Sequence, residues 1–256
     1  LMRIYTKAFR LSALGLFSYT FLLLGCGQAM LSDEYLANRS KKEFVKMKEK
    51  EKVSSNKSHQ QMIQEIGERI AGVAQVDLPG TDWEFVVFQK GDANAFAMPG
   101  GKVGVNSGLI DLAAGNEDEI AAVMGHEIAH AVREHGREQV SQALAQNVFS
   151  NVALATAGPG SAKSIDAANQ IMQYVLVLPN SRQNETEADA IGLEIAARGG
   201  YDPRAAITLW EKMSKESKGK NPPEFLSTHP SNENRIKELS ALMPRVMPLY
   251  EAAKKP

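Results

Sequence analysis

The sequence predicts an α+β fold, mainly helical, with one small β-sheet early in the chain. Three observations carry this expectation. Apolar residues recur at helical spacing from His59 onward, and a single stretch around residues 83–105 alternates and turns as short strands do. Gly and Pro mark most of the joints between these segments. Apolar residues make up 43% of the 256, enough for a substantial core, and residues 59–246 read as one domain. The formal net charge of -1 gives neither the basic excess that nucleic acid demands nor an acidic, solvating composition.

The elements follow in order. Arg3, Lys7 and Arg10 precede an uncharged run from Leu11 to Leu24, the charged and apolar regions of a secretory signal. That run is shorter than the roughly 20 apolar residues of a spanning helix. Leu23-Leu24-Gly25-Cys26 resembles the bacterial lipobox, which makes residues 1–25 a signal peptide and Cys26 the lipidation site. Cys26 is the only cysteine, so no intrachain disulfide and no Cys-ligated zinc knuckle is available. Gly27 stands where an Asp would favour the inner membrane, which points the anchor to an outer membrane. Residues 26–58 are rich in Lys and Glu and read as a polar tether or solvated helix, closed by Ser54-Ser55-Asn56-Lys57-Ser58.

Met62, Ile63, Ile66, Ile70 and Val73 form one apolar helix face. Trp83–Phe88 is a strand by composition, and Ala93–Val105 predicts two short strands around Pro99-Gly100-Gly101. Ser107–Ala114 is a short helix, and a longer one opens at Asn116 or Glu117. Helices are expected over Val140–Ala157, Ile165–Leu178, Ser181–Arg198, Arg204–Ser217 and Ser231–Leu242. Gly219–Pro230 reads as a loop and residues 247–256 as a tail.

The second helix of the central region carries the chemistry. His126 and His130 stand four apart, so their imidazoles share one helix face and can grip one tetrahedral metal. Glu127 sits beside the first His, within reach of a metal-activated water. This is the H-E-x-x-H arrangement of two ligands and a general base. The flanking Ile120, Ala121, Val123 and Met124 suit a buried helix, and Gly125 leaves room beside the first ligand. His135, five past His130, is expected at the surface. A catalytic zinc needs a third protein ligand and one open corner. The metzincin spacing does not supply it, because Arg133 and Gly136 occupy its positions. The acidic stretch from Ser181 to Gly192 is the candidate source. Glu185 and Asp189 share a helix face, while Glu187 points about 200° away from Glu185. Glu185 can bind zinc and Asp189 can hold a ligand histidine, or the stretch is simply a solvated acidic face.

At this point the sequence resembles a family. His126-Glu127-Ile128-Ala129-His130, followed by Ser181-Arg182-x-x-Glu185-x-Glu187-Ala188-Asp189-x-x-Gly192, is similar to the zinc metallopeptidases that include the CAAX prenyl endopeptidases, the bacterial heat-shock membrane protease and the mitochondrial overlapping-activity protease. Asn94–Leu109 resembles the segment before that family's active-site helix, and Thr228-His229-Pro230 with Arg235 resembles its late His-Pro and Arg pair. The resemblance implies a zincin-like domain holding one Zn2+, with Glu185 as third ligand and Asp189 as its partner. It implies His229, Arg235 or both as cationic donors to the tetrahedral oxyanion, beside the base Glu127. His229 could instead occupy the open corner and hold the enzyme latent. Without the spanning helices of the prenyl branch, the chain looks like the lipid-anchored periplasmic branch.

The strand just before the metal helix, at Asn94, Ala95, Phe96 and Ala97, is placed to hold substrate as an added strand. A phosphate loop at Gly101-Lys102 fails, because Val103 stands where Ser or Thr is needed and Phe96 where Gly is. Nucleotide and nucleic acid are therefore not expected as partners. The expected partners are polypeptide substrates and, through lipidated Cys26, a membrane. By resemblance, the expected activity is endopeptidase cleavage of damaged or misassembled envelope proteins. The alternative is a chaperone or assembly factor with rare or latent proteolysis.

Overall fold

The structure, a computed structural model, describes residues 32–143, 179–217, 223–230 and 234–254. The signal, Cys26, the helix expected at 165–178 and most of the one expected at 140–157 lie outside them. The architecture is α+β, with helices around one three-stranded sheet.

Helix α1 is Asp33–Lys50. Ser32 caps it by accepting from Tyr35 N–H, and its acidic first turn and basic last turn complement the helix dipole. Leu36, Ser40 and Phe44, spaced by four, are buried. Leu36 and Phe44 pack on Val86, Phe88 and Met98 of the sheet. The stretch expected to be a tether or solvated helix is thus a docked helix. Its docking face, Tyr35, Leu36, Phe44 and Met47, is interrupted by polar Ser40 and is too sparse to register against so many lysines.

Helix α2, Lys57–Ala74, is capped by Asn56 and buries Ile63, Ile66 and Ile70 against the other sheet face. Strand β1 is Glu84–Phe88, β2 is Ala95–Met98 and β3 is Lys102–Asn106. The order is β1-β3-β2, with β3 parallel to β1 and antiparallel to β2. The β2–β3 turn needs left-handed backbone twice in succession, and Gly100 (φ 79°) and Gly101 (φ 81°) provide it. Alternation divides the sheet: Phe85, Val87, Val103 and Val105 face the main core, whereas Val86, Phe88 and Met98 face α1. The amine of Lys102 is buried against the carbonyl and carboxylate of Asp82, so this lysine is committed to the turn at the start of β1.

Helix α3 is Ser107–Leu112 and α4 is Glu117–Val132. Asn116 caps α4, three acidic residues fill its first turn, and every residue from Glu119 to His130 is buried. Buried Glu119 is neutralised by Lys212 at 2.7 Å. After α4 the chain turns through Glu134 (φ 56°) and is helical again over residues 135–143. Helix α5 is Arg182–Arg198, α6 is Arg204–Glu216, and α7 is the single turn Phe225–Thr228 inside the expected loop.

Helix α8 runs Arg235–Ala253, past the stop expected at Leu242 and through most of the expected tail, with Pro244 and Pro248 inside it. An internal proline costs about 3 kcal/mol. The burial of Val246 and Tyr250 within the core offsets that cost. Among the described residues, no helix is long and apolar enough to cross a membrane.

Candidate metal centre

Helices α4 and α5 cross with almost no gap, and the crossing builds the site. A Cβ on Gly192 would lie 2.7 Å from His126 Cα, and one on Gly125 would lie 2.7 Å from the carbonyl oxygen of Gly192. Glycine at both positions brings Glu185 of α5 beside the two histidines of α4. The turn α7 then delivers His229 from the opposite side. Its backbone is pinned by Asn180, whose N–H donates to the Thr228 carbonyl at 2.9 Å.

Four buried donors converge: His126, His130, Glu185 and His229, all within 4.8 Å of one another. His126 Nε2 lies 3.1 Å from His130 Nε2 and 3.3 Å from His229 Nδ1. Glu185 Oε2 is 3.5 Å from His126 Nε2, and its Oε1 is 3.3 Å from His130 Nε2 and 3.0 Å from His229 Nδ1. A tetrahedron with zinc–ligand bonds of about 2.0–2.1 Å has edges of about 3.3 Å. Five of the donor separations, 3.0–3.5 Å with both Glu185 oxygens counted, lie near that value. Three imidazole nitrogens aimed at one point in a buried space cannot all hydrogen-bond one another, whereas a cation satisfies them together. The residues therefore fit one zinc ion.

The next layer orients them. Asp189 Oδ1 lies 3.0 Å from His126 Nδ1 and holds the hydrogen there, so that Nε2 is the nitrogen offered to a metal. Arg235 is 2% exposed; one terminal nitrogen donates to Glu185 Oε2 at 2.6 Å and the other to Asp189 Oδ1 at 2.7 Å. Its guanidinium stacks 3.8 Å from the centroid of the Trp210 ring. Arg235, expected as a candidate oxyanion donor, is here engaged by two carboxylates and does not line the cleft.

Glu127 is buried on the cleft side of His126. Its Oε2 accepts from Ala97 N–H at 3.2 Å, and its Oε1 lies 3.2 Å from His229 Nε2. Burial pushes its carboxyl above the ordinary glutamate value, with His229 and His126 opposing. Burial works against a charge on His126, yet Glu185 and Asp189 outweigh it and raise its pKa to about 9. Burial also disfavours ionised Glu185, but His126, His130 and His229 hold it well below the carboxylate range. For His130 burial prevails and keeps the imidazole neutral far below its usual value.

A cleft of about 820 Å3 opens onto Glu127, His130 and His229. Asn94, Ala95, Phe96 and Ala97 line it. The outer edge of β2 carries no strand among the described residues. Asn94 Oδ1 is buried without a partner there. Phe96 packs its ring on Phe44 and Phe88, toward α1.

His135 corrects an expectation. It was expected at the surface and is 3% exposed, with Nδ1 2.8 Å from His130 Nδ1. Glu187 stays out of the donor group, 3.3 Å from His135 Nε2. On an unbroken helix His135 would point away from His130. The break at Arg133-Glu134 swings it back, and a glutamate at positive φ leaves no mark in the sequence that could have announced this.

Residues 57–243 match peptidase family M48, well over half of the chain. The mitochondrial metalloendopeptidase OMA1 of Saccharomyces cerevisiae is 37% identical over 181 residues, which cover 68% of this chain and 51% of the relative. The OMA1 of Schizosaccharomyces pombe is 40% identical over 167 residues, 63% of this chain and 47% of the relative. The beta-barrel assembly-enhancing protease of Escherichia coli K12 is 30% identical over 183 residues, 69% of this chain and 37% of the relative. The chain thus spans about half, or less, of the length of these relatives.

Proposed function

Because the chain belongs to peptidase family M48, a zinc-dependent family, we propose that it is a zinc endopeptidase acting on polypeptides bound along β2. The observation that carries this reading is the convergence of His126, His130, Glu185 and His229 beside buried Glu127. Zinc, when bound, supplies Lewis acidity that activates water and polarises a peptide carbonyl. Glu127, with its raised pKa, is suited to take a proton from the attacking water and return it to the departing amine. Arg235 and Asp189 act by holding Glu185 and His126 in place. The outer edge of β2, which carries no strand among the described residues, and Asn94 Oδ1 offer hydrogen bonds to an extended peptide, while the Ala97 N–H is taken by Glu127.

His229 Nδ1, 3.0 Å from Glu185 Oε1, is near enough to the other donors to take the fourth corner of a bound zinc. A catalytic zinc keeps a corner open, so this position supports a closed resting state from which His229 must withdraw before cleavage. That feature favours latent proteolysis, and with it the second reading, an assembly factor that cleaves rarely. The name of the E. coli relative, a protease that enhances beta-barrel assembly, supports envelope proteins as the substrate class. Lipidation at Cys26 and an outer-membrane anchor facing the periplasm complete the proposal. Purified protein should cleave an unfolded polypeptide such as reduced casein, lose this on chelation and regain it with one equivalent of zinc. Cleavage that persists in excess chelator would refute the metal's role.

A further inference from the structure

The zinc-peptidase reading above is the basis for a second step. The geometry points to His135 and Glu187 as positioning residues that fix the ligand His130 from behind, through a chain of hydrogen bonds separate from the one behind His126. His130 Nδ1 and His135 Nδ1 lie 2.8 Å apart, His135 Nε2 is 3.3 Å from Glu187 Oε2, and Glu187 Oε1 is 2.6 Å from Arg133 Nε. If His130 gives Nε2 to a metal, its hydrogen resides on Nδ1 and must be donated. The acceptor in reach is His135 Nδ1, which must then be bare, so the hydrogen of His135 resides on Nε2 and is donated to Glu187. Arg133 satisfies the second carboxylate oxygen. Every nitrogen and oxygen in the chain then has one compatible partner.

The opposite assignment fails at both ends. A hydrogen on His135 Nδ1 would force the hydrogen of His130 onto Nε2, into the donor cluster. It would also set a bare His135 Nε2 against a carboxylate. Glu187 therefore selects the tautomer of His135, and His135 selects that of His130. The two ligand histidines are held differently: His126 directly by a carboxylate, His130 by a carboxylate acting through a second imidazole. His135 can do this because it is buried against Nδ1 of His130, the ring nitrogen away from the donor cluster, and follows the turn at Glu134. Glu187, with its side chain 34% exposed, fastens the outer end from the surface.

The test measures zinc affinity by competition with a chromophoric chelator, and histidine tautomers by long-range 1H–15N NMR, on the whole chain. Outer-shell partners of ligand histidines typically contribute roughly 10- to 100-fold in metal affinity. His135→Leu should weaken zinc binding by that factor, and His135→Asn, whose Oδ1 can accept from His130 Nδ1, should restore most of it. Glu187→Ala alters a partly exposed side chain and should leave the fold intact. It should weaken binding several-fold and allow His135 the Nδ1–H tautomer, which the wild type should not show. Equal affinity in Leu and Asn variants, or Glu187→Ala matching wild type in both affinity and tautomer, would overturn the inference. If His135→Leu does not fold, Glu187→Ala decides alone. A wild-type protein that binds no zinc would refute the functional reading instead.

Discussion

Gly192→Ala tests how the site is built. The added methyl would sit 2.7 Å from His126 Cα and N. Carbon atoms not bonded to each other prefer about 3.5–4.0 Å, so α4 and α5 must separate by about 1 Å. The obstacle is backbone, which no rotamer change can move. His126 and His130 ride on one of these helices and Glu185 on the other. Donor separations of 3.3 and 3.5 Å between them would then grow by a similar amount, well outside the roughly 0.2 Å tolerance of a zinc site. Overpacking of this kind costs about 1–3 kcal/mol, partly offset by the ~1 kcal/mol that Ala gains over Gly in a helix. Thermal unfolding should therefore shift down by a few degrees, while zinc affinity should fall tenfold or more. Gly72→Ala is the control: nothing lies within 4 Å of its added Cβ, and it should be neutral or slightly stabilising. Wild-type zinc affinity in Gly192→Ala would refute the claim that the glycine crossing sets the donor geometry.

Two further outcomes are expected. His229→Ala should keep zinc through three protein donors and cleave a quenched fluorescent casein faster than wild type; slower cleavage would mean that His229 serves the reaction rather than closing the site. His126, with a pKa raised to about 9 by Glu185 and Asp189, carries a proton at pH 7, and zinc requires its bare Nε2. Zinc binding at pH 7 should therefore release about one proton, and affinity should rise with pH and level off above about 9. Titration calorimetry in buffers of different ionisation enthalpy measures this directly, and buffer-independent heat would contradict it.

Much of the fold was legible because its signals are local. The apolar face of α2, the Gly100-Gly101 turn and the Asn116 cap each depend on a few neighbouring residues. Where tertiary packing overrides local preference, the local pattern points elsewhere. Leu36 and Phe44 are two apolar residues in a charged helix, and only the sheet beneath them shows that they dock it. Pro244 and Pro248 argue for a helix end, yet burial of Val246 and Tyr250 carries α8 through them.

The site divides in the same way. Spacing four placed His126 and His130 on one helix face, and the resemblance supplied Glu185, Asp189 and His229. None of these could show that Arg235 is tied to carboxylates or that His229 reaches the donor cluster from a separate turn. The partnership of His135 with His130 rests on a positive φ at Glu134, a conformation that glutamate does not advertise. Gly125 and Gly192 look like ordinary helix glycines until the two helices cross.

The central claim is that Glu127 is the base of a zinc site built by its neighbours. It is best tested by Glu127→Gln, which keeps the size of the side chain and its contact with Ala97 but cannot take a proton. Zinc content and casein cleavage should be measured on the same purified sample. Zinc should stay at one per chain, because Glu127 is not among the four converging donors. Cleavage should fall by about 10²–10⁴-fold, the usual contribution of a positioned base. Cleavage at the wild-type rate with zinc fully bound would contradict the account.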